Sequence, residues 1–187
     1  MSLQQTPSQT VGPFFRPSLC RAGQELLATP ETRGERITIE GRVLDGDASP
    51  VNDALIELWQ ANAEGRYDHP EDTQEKLLDP NFAGFGRAAT DSGGRFRFHT
   101  IKPGPVPGAN DVLQAPHISV SIFARGLLKR LVTRIYFPDE PMNDADTVLN
   151  SVAPSRRSTL VARAERPGVL RFDIVLQGEN ETVFFDV

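Results

Sequence analysis

Apolar and polar residues alternate along most of this chain with a period of two, the spacing of half-buried strands; helical periodicity is brief. Across 36–44, Ile37, Ile39 and Val43 alternate with polar neighbours. Residues 54–60 are more continuously apolar and predict a strand covered on both faces. Residues 95–98 turn both Phe96 and Phe98 inward, and 117–124 put Ile118, Val120 and Ile122 on one face with His117 and Ser119 on the other. Further strands are predicted at 131–137, 159–164 and 169–176, the last with Leu170, Phe172, Ile174 and Leu176 on a common face. The best helix is short, at 143–150. Turn chemistry at 45–50 and 90–94 separates the strands. Evenly spaced strands and turns predict an all-β fold, an antiparallel β-sandwich with long loops and an extended N-terminal arm.

Two segments break the strand rhythm, 61–85 and 102–115. Loops longer than about 12–15 residues in a compact domain are usually functional or disordered, so function or its remnant is expected there. Residues 1–35 form a polar arm punctuated by proline, without either period, whose order must come from packing on a partner chain. Phe14 and Phe15 are its expected anchors. Residues 36–187 form the sandwich domain.

A chain of 187 residues suits one domain with a core of its own. Fifteen glycines and fifteen prolines favour turns over long helices. The net charge is −5, and basic residues are neither in excess nor gathered in runs, which excludes a nucleic-acid footprint. The single cysteine, Cys20, allows no intrachain disulfide and no cysteine-based zinc site. No apolar run reaches transmembrane length, and the first residues lack a charged and then apolar leader. A cytoplasmic protein without membrane contact is the expectation.

Local motifs weigh little by themselves. Gly84-Phe85-Gly86-Arg87-Ala88-Ala89 has the spacing of a dinucleotide fingerprint but lacks the helix that would receive a pyrophosphate. Asp68, His69, Glu71, Asp72 and Glu75 cluster in a loop, where such charges are ordinarily just solvated. His99 ends a strand and reads as a hydrogen-bonded structural histidine.

Three blocks carry more. Leu78-Asp79-Pro80-Asn81-Phe82, Thr100-Ile101-Lys102-Pro103-Gly104-Pro105 and Ala115-Pro116-His117-Ile118-Ser119-Val120-Ser121-Ile122, in this order and spacing, resemble the intradiol ring-cleavage dioxygenases. That resemblance implies a family that cleaves catechols with dioxygen, using a ferric ion held by two tyrosines and two histidines. Aligned on these blocks, the tyrosine positions fall on Gln74 and Val106, and the histidine positions on His117 and Ser119. The active-site arginine position falls on Gln114. One ligand of four remains, so no metal ligand set and no catalytic residue are assigned to this chain.

The resemblance runs through the whole chain, including Thr6-Pro7-Ser8-Gln9-Thr10-Val11-Gly12-Pro13, Ile122-Phe123-Ala124-Arg125-Gly126, Thr133-Arg134-Ile135-Tyr136-Phe137 and residues 178–186. It points to a branch that pairs a ligand-less chain with an iron-bearing β chain of the same fold. By that resemblance Fe(III) belongs to the partner, the aromatic substrate sits at the interface, and Thr10, Val11, Gly12, Pro13 and Arg134 bind it. A second reading, a non-catalytic β-sandwich binding or assembly module, accounts for the same lost ligands.

Overall fold

The structure is a computed structural model that describes residues 6–12, 14–109 and 112–186. The expectation for Pro13 lies outside the described residues. In chain order the elements are α1 (Phe15–Leu19), β1 (Arg36–Leu44), β2 (Leu55–Trp59), β3 (Phe85–Ala89), β4 (Arg95–Ile101), β5 (Val106–Pro107), β6 (Leu113–Gln114), β7 (His117–Phe123) and β8 (Leu131–Tyr136). They continue with α2 (Thr147–Ser151), β9 (Arg163–Arg166), β10 (Val169–Arg171) and β11 (Ile174–Val175).

Two sheets face each other, as the alternation predicts. One is antiparallel throughout, in the order β3-β2-β7-β8. The other centres on β1, which pairs antiparallel with β4 and parallel with β10 and β11, while β9 returns antiparallel on β10. Ile56, Leu58, Ile118, Val120, Ile122 and Ile135 meet Ile39, Val43, Phe96, Phe98, Leu170 and Ile174 in one core. Each such side chain contributes roughly 1.5–3 kcal/mol on burial. A smaller cluster, Ala115, Tyr136, Leu149 and Leu160, packs the 141–160 segment beside the end of β7 and β8.

β1 meets β10 and β11 in a single continuous register, Glu40 against Arg171 and Val43 against Ile174. Between these pairs, a Cβ on Gly41 would lie 1.8 Å from the Phe172 carbonyl oxygen, so only glycine fits. Asp173 then replaces the ladder: its Oδ1 accepts the Arg42 N–H at 2.9 Å. The predicted strand 169–176 is therefore two short strands with a side-chain bridge between them.

Other departures have local causes. The predicted strand 159–164 begins late, because a 3-10 turn at Pro154–Leu160 starts with a proline and is tied by Arg157 Nε to the Val152 carbonyl at 2.9 Å. The predicted helix becomes a 3-10 turn, Pro141–Ala145, followed by α2, with Asp146 capping α2 through Leu149 N at 2.7 Å. The glycine-rich 84–89 segment supplies β3, antiparallel to β2.

The N-terminal segment joins this chain's own sandwich well before residue 35. Leu27 is 6% exposed and lies in the main core, its N–H bonding to the His99 carbonyl at 2.8 Å. Thr32 donates its hydroxyl to the Asn81 carbonyl at 2.7 Å. Phe14, by contrast, is 77% exposed. No helix among the described residues is long and apolar enough to cross a membrane.

Candidate functional site

The outward face of the antiparallel sheet carries the candidate site. Cross-strand register aligns Trp59 with Ser119 and Ser119 with Arg134, so these three side chains stand in one row across β2, β7 and β8. The 61–85 segment folds over this row and is held by its own turn chemistry. Asn62 Oδ1 accepts from Glu64 N and Arg66 N, each at 3.0 Å, and Asp72 accepts from Tyr67 N at 2.7 Å and Gln74 N at 3.0 Å. Burial opposes the Asp72 charge, yet these donors hold its carboxyl below the ordinary range. Within the acidic loop cluster, Asp72 is thus built into a backbone cap, and His69 Nδ1 accepts Glu71 N at 3.2 Å. Further along, Asp79 ties the loop to the N-terminal segment through Arg33 N at 2.7 Å.

The fold lays Tyr67 flat against Trp59, with ring centroids 5.6 Å apart and planes at 14°, and sets His69 edge-on to Trp59 at 6.4 Å. An open cleft of about 640 Å³ results, lined by Trp59, Tyr67, His69, Asp72, Gln74 and Val106. Gln74 and Val106 are the two positions aligned with tyrosine ligands. Although 32 residues separate them in the chain, the fold brings them to one cleft.

Their chemistry does not suit a ferric ion. Gln74 spends its amide N–H groups on Gly65 O at 3.0 Å and Asp72 Oδ2 at 3.1 Å. Val106 offers no donor atom. His117 is 4% exposed, and its Nδ1–H donates to the Ala115 carbonyl at 2.8 Å, leaving Nε2 with its lone pair. Burial first, and the nearby Arg134 charge second, lower its pKa to about 4, so the ring is neutral at pH 7. Ser119 adds one hydroxyl. A hard trivalent cation prefers anionic oxygen donors, and this set supplies none. Among the described residues, no three His, Cys, Asp or Glu side chains converge on a point where a metal could sit. His99 lies elsewhere, its Nδ1 sharing a hydrogen bond with the Thr38 hydroxyl at 3.2 Å.

The residues expected to touch substrate fall in two places. Arg134 is half-buried beside the cleft, its Nη1 donating to Gln114 Oε1 at 2.6 Å and to the Tyr136 hydroxyl at 3.4 Å. Its charge also reaches Tyr67, whose phenol is pushed up by burial and partly drawn back by the guanidinium. Thr10 lies at the far end of the β7–β8 hairpin, where its Oγ1 accepts Gly126 N at 2.9 Å. Val11 is half-buried and Gly12 exposed, and, its chain neighbours aside, no atom of the described residues lies within 4 Å of where a Gly12 Cβ would stand. The arm and Arg134 are therefore not brought together. The arginine next to the arm is Arg125, which is 69% exposed and pairs with Asp53. Sequence reading overlooked it as a candidate, although it stands in the quoted Ile122-to-Gly126 block; its placement beside Thr10 is a tertiary fact.

Comparison with known proteins gives this arrangement its context. The profile of the family described as Dioxygenase matches residues 11–178. The protocatechuate 3,4-dioxygenase alpha chain of Burkholderia cepacia is 44% identical, covering 100% of this chain and 99% of its own length. The alpha chain from Pseudomonas putida is 46% identical over 98% and 97%. The B. cepacia protocatechuate 3,4-dioxygenase beta chain is also 44% identical, over 81% of this chain and 68% of its own. Among solved structures, the dioxygenase domain of a carbohydrate-binding fusion from Streptomyces sp. SirexAA-E superposes with a TM-score of 0.64 at 32% identity, covering 94% and 99% of the two chains. A family profile over most of the chain, full-length relatives and a shared fold agree: the chain belongs to the intradiol dioxygenase family.

Proposed function

We propose that this chain is the metal-free subunit of a cytoplasmic two-chain protocatechuate 3,4-dioxygenase. It pairs with a β chain of the same fold that holds Fe(III), and the assembly cleaves protocatechuate with dioxygen to 3-carboxy-cis,cis-muconate. The observation that carries this reading is the cleft itself. Two of the four positions aligned with iron ligands, Gln74 and Val106, line one cleft and carry no donor suited to a ferric ion, in a chain similar end to end to alpha chains; this supports the reading. A chain with this fold and no metal set of its own contributes to catalysis by shaping a neighbour's pocket.

Within that reading the arm residues Thr10, Val11, Gly12 and Pro13 wall the partner's site. Glycine permits close approach of backbone to a ligand, and proline stiffens the segment. For the substrate carboxylate two arginines compete. The sequence resemblance favours Arg134, whereas the geometry supports Arg125, exposed beside the residue that holds Thr10. We infer that Arg125 serves the interface by a charge-assisted hydrogen bond, and that Arg134 serves this chain's own cleft.

The test is co-purification with the β chain, a metal assay on each separated chain, and steady-state kinetics. Iron is expected on the partner and not on this chain. Arg125→Ala raises KM for protocatechuate at unchanged iron content, and the same measurement on Arg134→Ala decides between the two guanidiniums. Stoichiometric ferric iron on this chain alone would overturn the reading.

A further inference from the structure

Beyond its part in an interface, the cleft of this chain has the makings of a binding site. Its side wall is the Trp59–Tyr67 pair, two rings lying almost parallel and open to the cavity. Arg134 does not line the cavity itself but flanks it, in the same cross-strand row as Trp59, one strand beyond Ser119, with its charge acting on Tyr67. Its guanidinium is in no ion pair among the described residues. One nitrogen, Nη1, makes both of its hydrogen bonds, to Gln114 and Tyr136. Among the described residues Nη2 and Nε have no hydrogen-bond acceptor, and they form the edge of the guanidinium that engages a carboxylate in a two-point fork. The nearest buried carboxylate, Asp146, is committed to Ala115 N at 2.8 Å, Leu149 N at 2.7 Å and the Tyr136 hydroxyl at 3.0 Å.

Arg134 thus has no direct ion-pair partner among the described residues, with Asp146 reached only through the Tyr136 hydroxyl, and the aromatic wall beside it is open to the cavity. Both features are satisfied by one kind of ligand. We propose that this cleft is a second, non-catalytic site that binds a planar aromatic monocarboxylate, its ring against Trp59 and Tyr67 and its carboxylate on the free edge of Arg134. The volume, about 640 Å³, is in the range that takes one small molecule. The rim carries Glu71 and Asp72, which oppose a second negative charge and set the preference for monoanions. With no metal to chelate, the site has no requirement for adjacent hydroxyls. Plain benzoate therefore suffices, unlike a catechol-cleaving centre. The proposal rests on the metal-free reading of this cleft, but benzoate binding is measured on this chain alone while the subunit reading is tested by iron content and kinetics of the assembly, so the two failures are distinguishable.

Trp59 is the only tryptophan in the chain, which makes it a built-in reporter. The full chain is titrated with benzoate, with cyclohexanecarboxylate and with phthalate at constant ionic strength, following tryptophan emission. Saturable quenching by benzoate in the millimolar range or below is expected, with each of the other two acids weaker. Arg134→Gln weakens benzoate at least tenfold. Arg134→Lys, which keeps the charge and loses the fork, falls between. Circular dichroism checks that each variant is folded, and Tyr67→Leu, which removes a wall and no charge, supplies an independent loss of affinity should the arginine variants unfold. A linear, non-saturating response, or equal affinity in wild type, Arg134→Gln and Tyr67→Leu, overturns the proposal. So does binding of phthalate as tight as that of benzoate.

Discussion

Asp146 is the most consequential buried polar residue in the fold, and replacing it tests how the cleft end of the molecule is held. Its carboxylate is fully buried and accepts three hydrogen bonds: Ala115 N on Oδ2, and Leu149 N with the Tyr136 hydroxyl on Oδ1. It therefore caps α2, pins the start of β7 and orients the ring packed beside His117. Asp146→Ala removes all three. The helix cap contributes about 1 kcal/mol, and two buried donors left unsatisfied cost roughly 1–3 kcal/mol each, so the loss is roughly 3–7 kcal/mol. Asp146→Asn keeps an acceptor for Leu149 and Tyr136 but turns an amide N–H towards Ala115 N–H. It loses one charge-assisted bond and costs about 2–3 kcal/mol. Urea unfolding followed by circular dichroism measures both, with an unchanged slope marking an unaltered unfolded state. A cost below about 0.5 kcal/mol for Asp146→Asn, or equal costs for the two variants, refutes the assignment of distinct roles to the two oxygens.

Three further outcomes are expected. His117 binds its proton at about pH 4 in the folded chain and near its ordinary 6.5 when unfolded, so the unfolded state takes up the proton first as pH falls. Stability from this residue is complete above pH 6.5 and shrinks by roughly 3 kcal/mol towards pH 4. Subtracting the unfolding profile of His117→Gln from that of the wild type isolates this slope, and parallel profiles would count against it. Gly41→Ala drives a methyl group to 1.8 Å from the Phe172 carbonyl, and soluble yield or Tm falls sharply if the β10–β11 junction is rigid. Leu27→Ala empties a core position and costs about 2–5 kcal/mol by urea titration; a cost near zero would place the N-terminal segment outside the domain.

Most strands were legible because one face of each is buried, and burial on one face writes period two into the chain. Ile118, Val120 and Ile122 are the clearest case, all at most 1% exposed. β3 was hidden because its start fell in the segment 61–85 read as a loop and its glycines supply no apolar alternation, while the close approach of Leu27 and Gln24 that demands Gly86 is a long-range contact. The end of the domain misled for the opposite reason. Alternation in 169–176 is continuous, yet the Gly41–Phe172 contact splits the strand. Of the site, the positions aligned with iron ligands came from the family resemblance, and the fold brings two of them, Gln74 and Val106, to one cleft. Two features were not legible: the separation of Thr10 from Arg134, set by opposite ends of one hairpin, and the edge of the Arg134 guanidinium without an acceptor among the described residues.

The pairing of β1 with β10 and β11 sets when the molecule can be finished. β1 comes early in the sandwich, but two of its neighbours lie far along the chain, with Thr38 waiting for Val169. A nascent chain on the ribosome can zip β1 to β4, yet one side of that ladder stays bare until β10 and β11 have been made. Such a delay makes folding slow and leaves an unpaired edge able to recruit a foreign strand. Truncation anywhere after β9 should therefore yield aggregates rather than a smaller soluble protein.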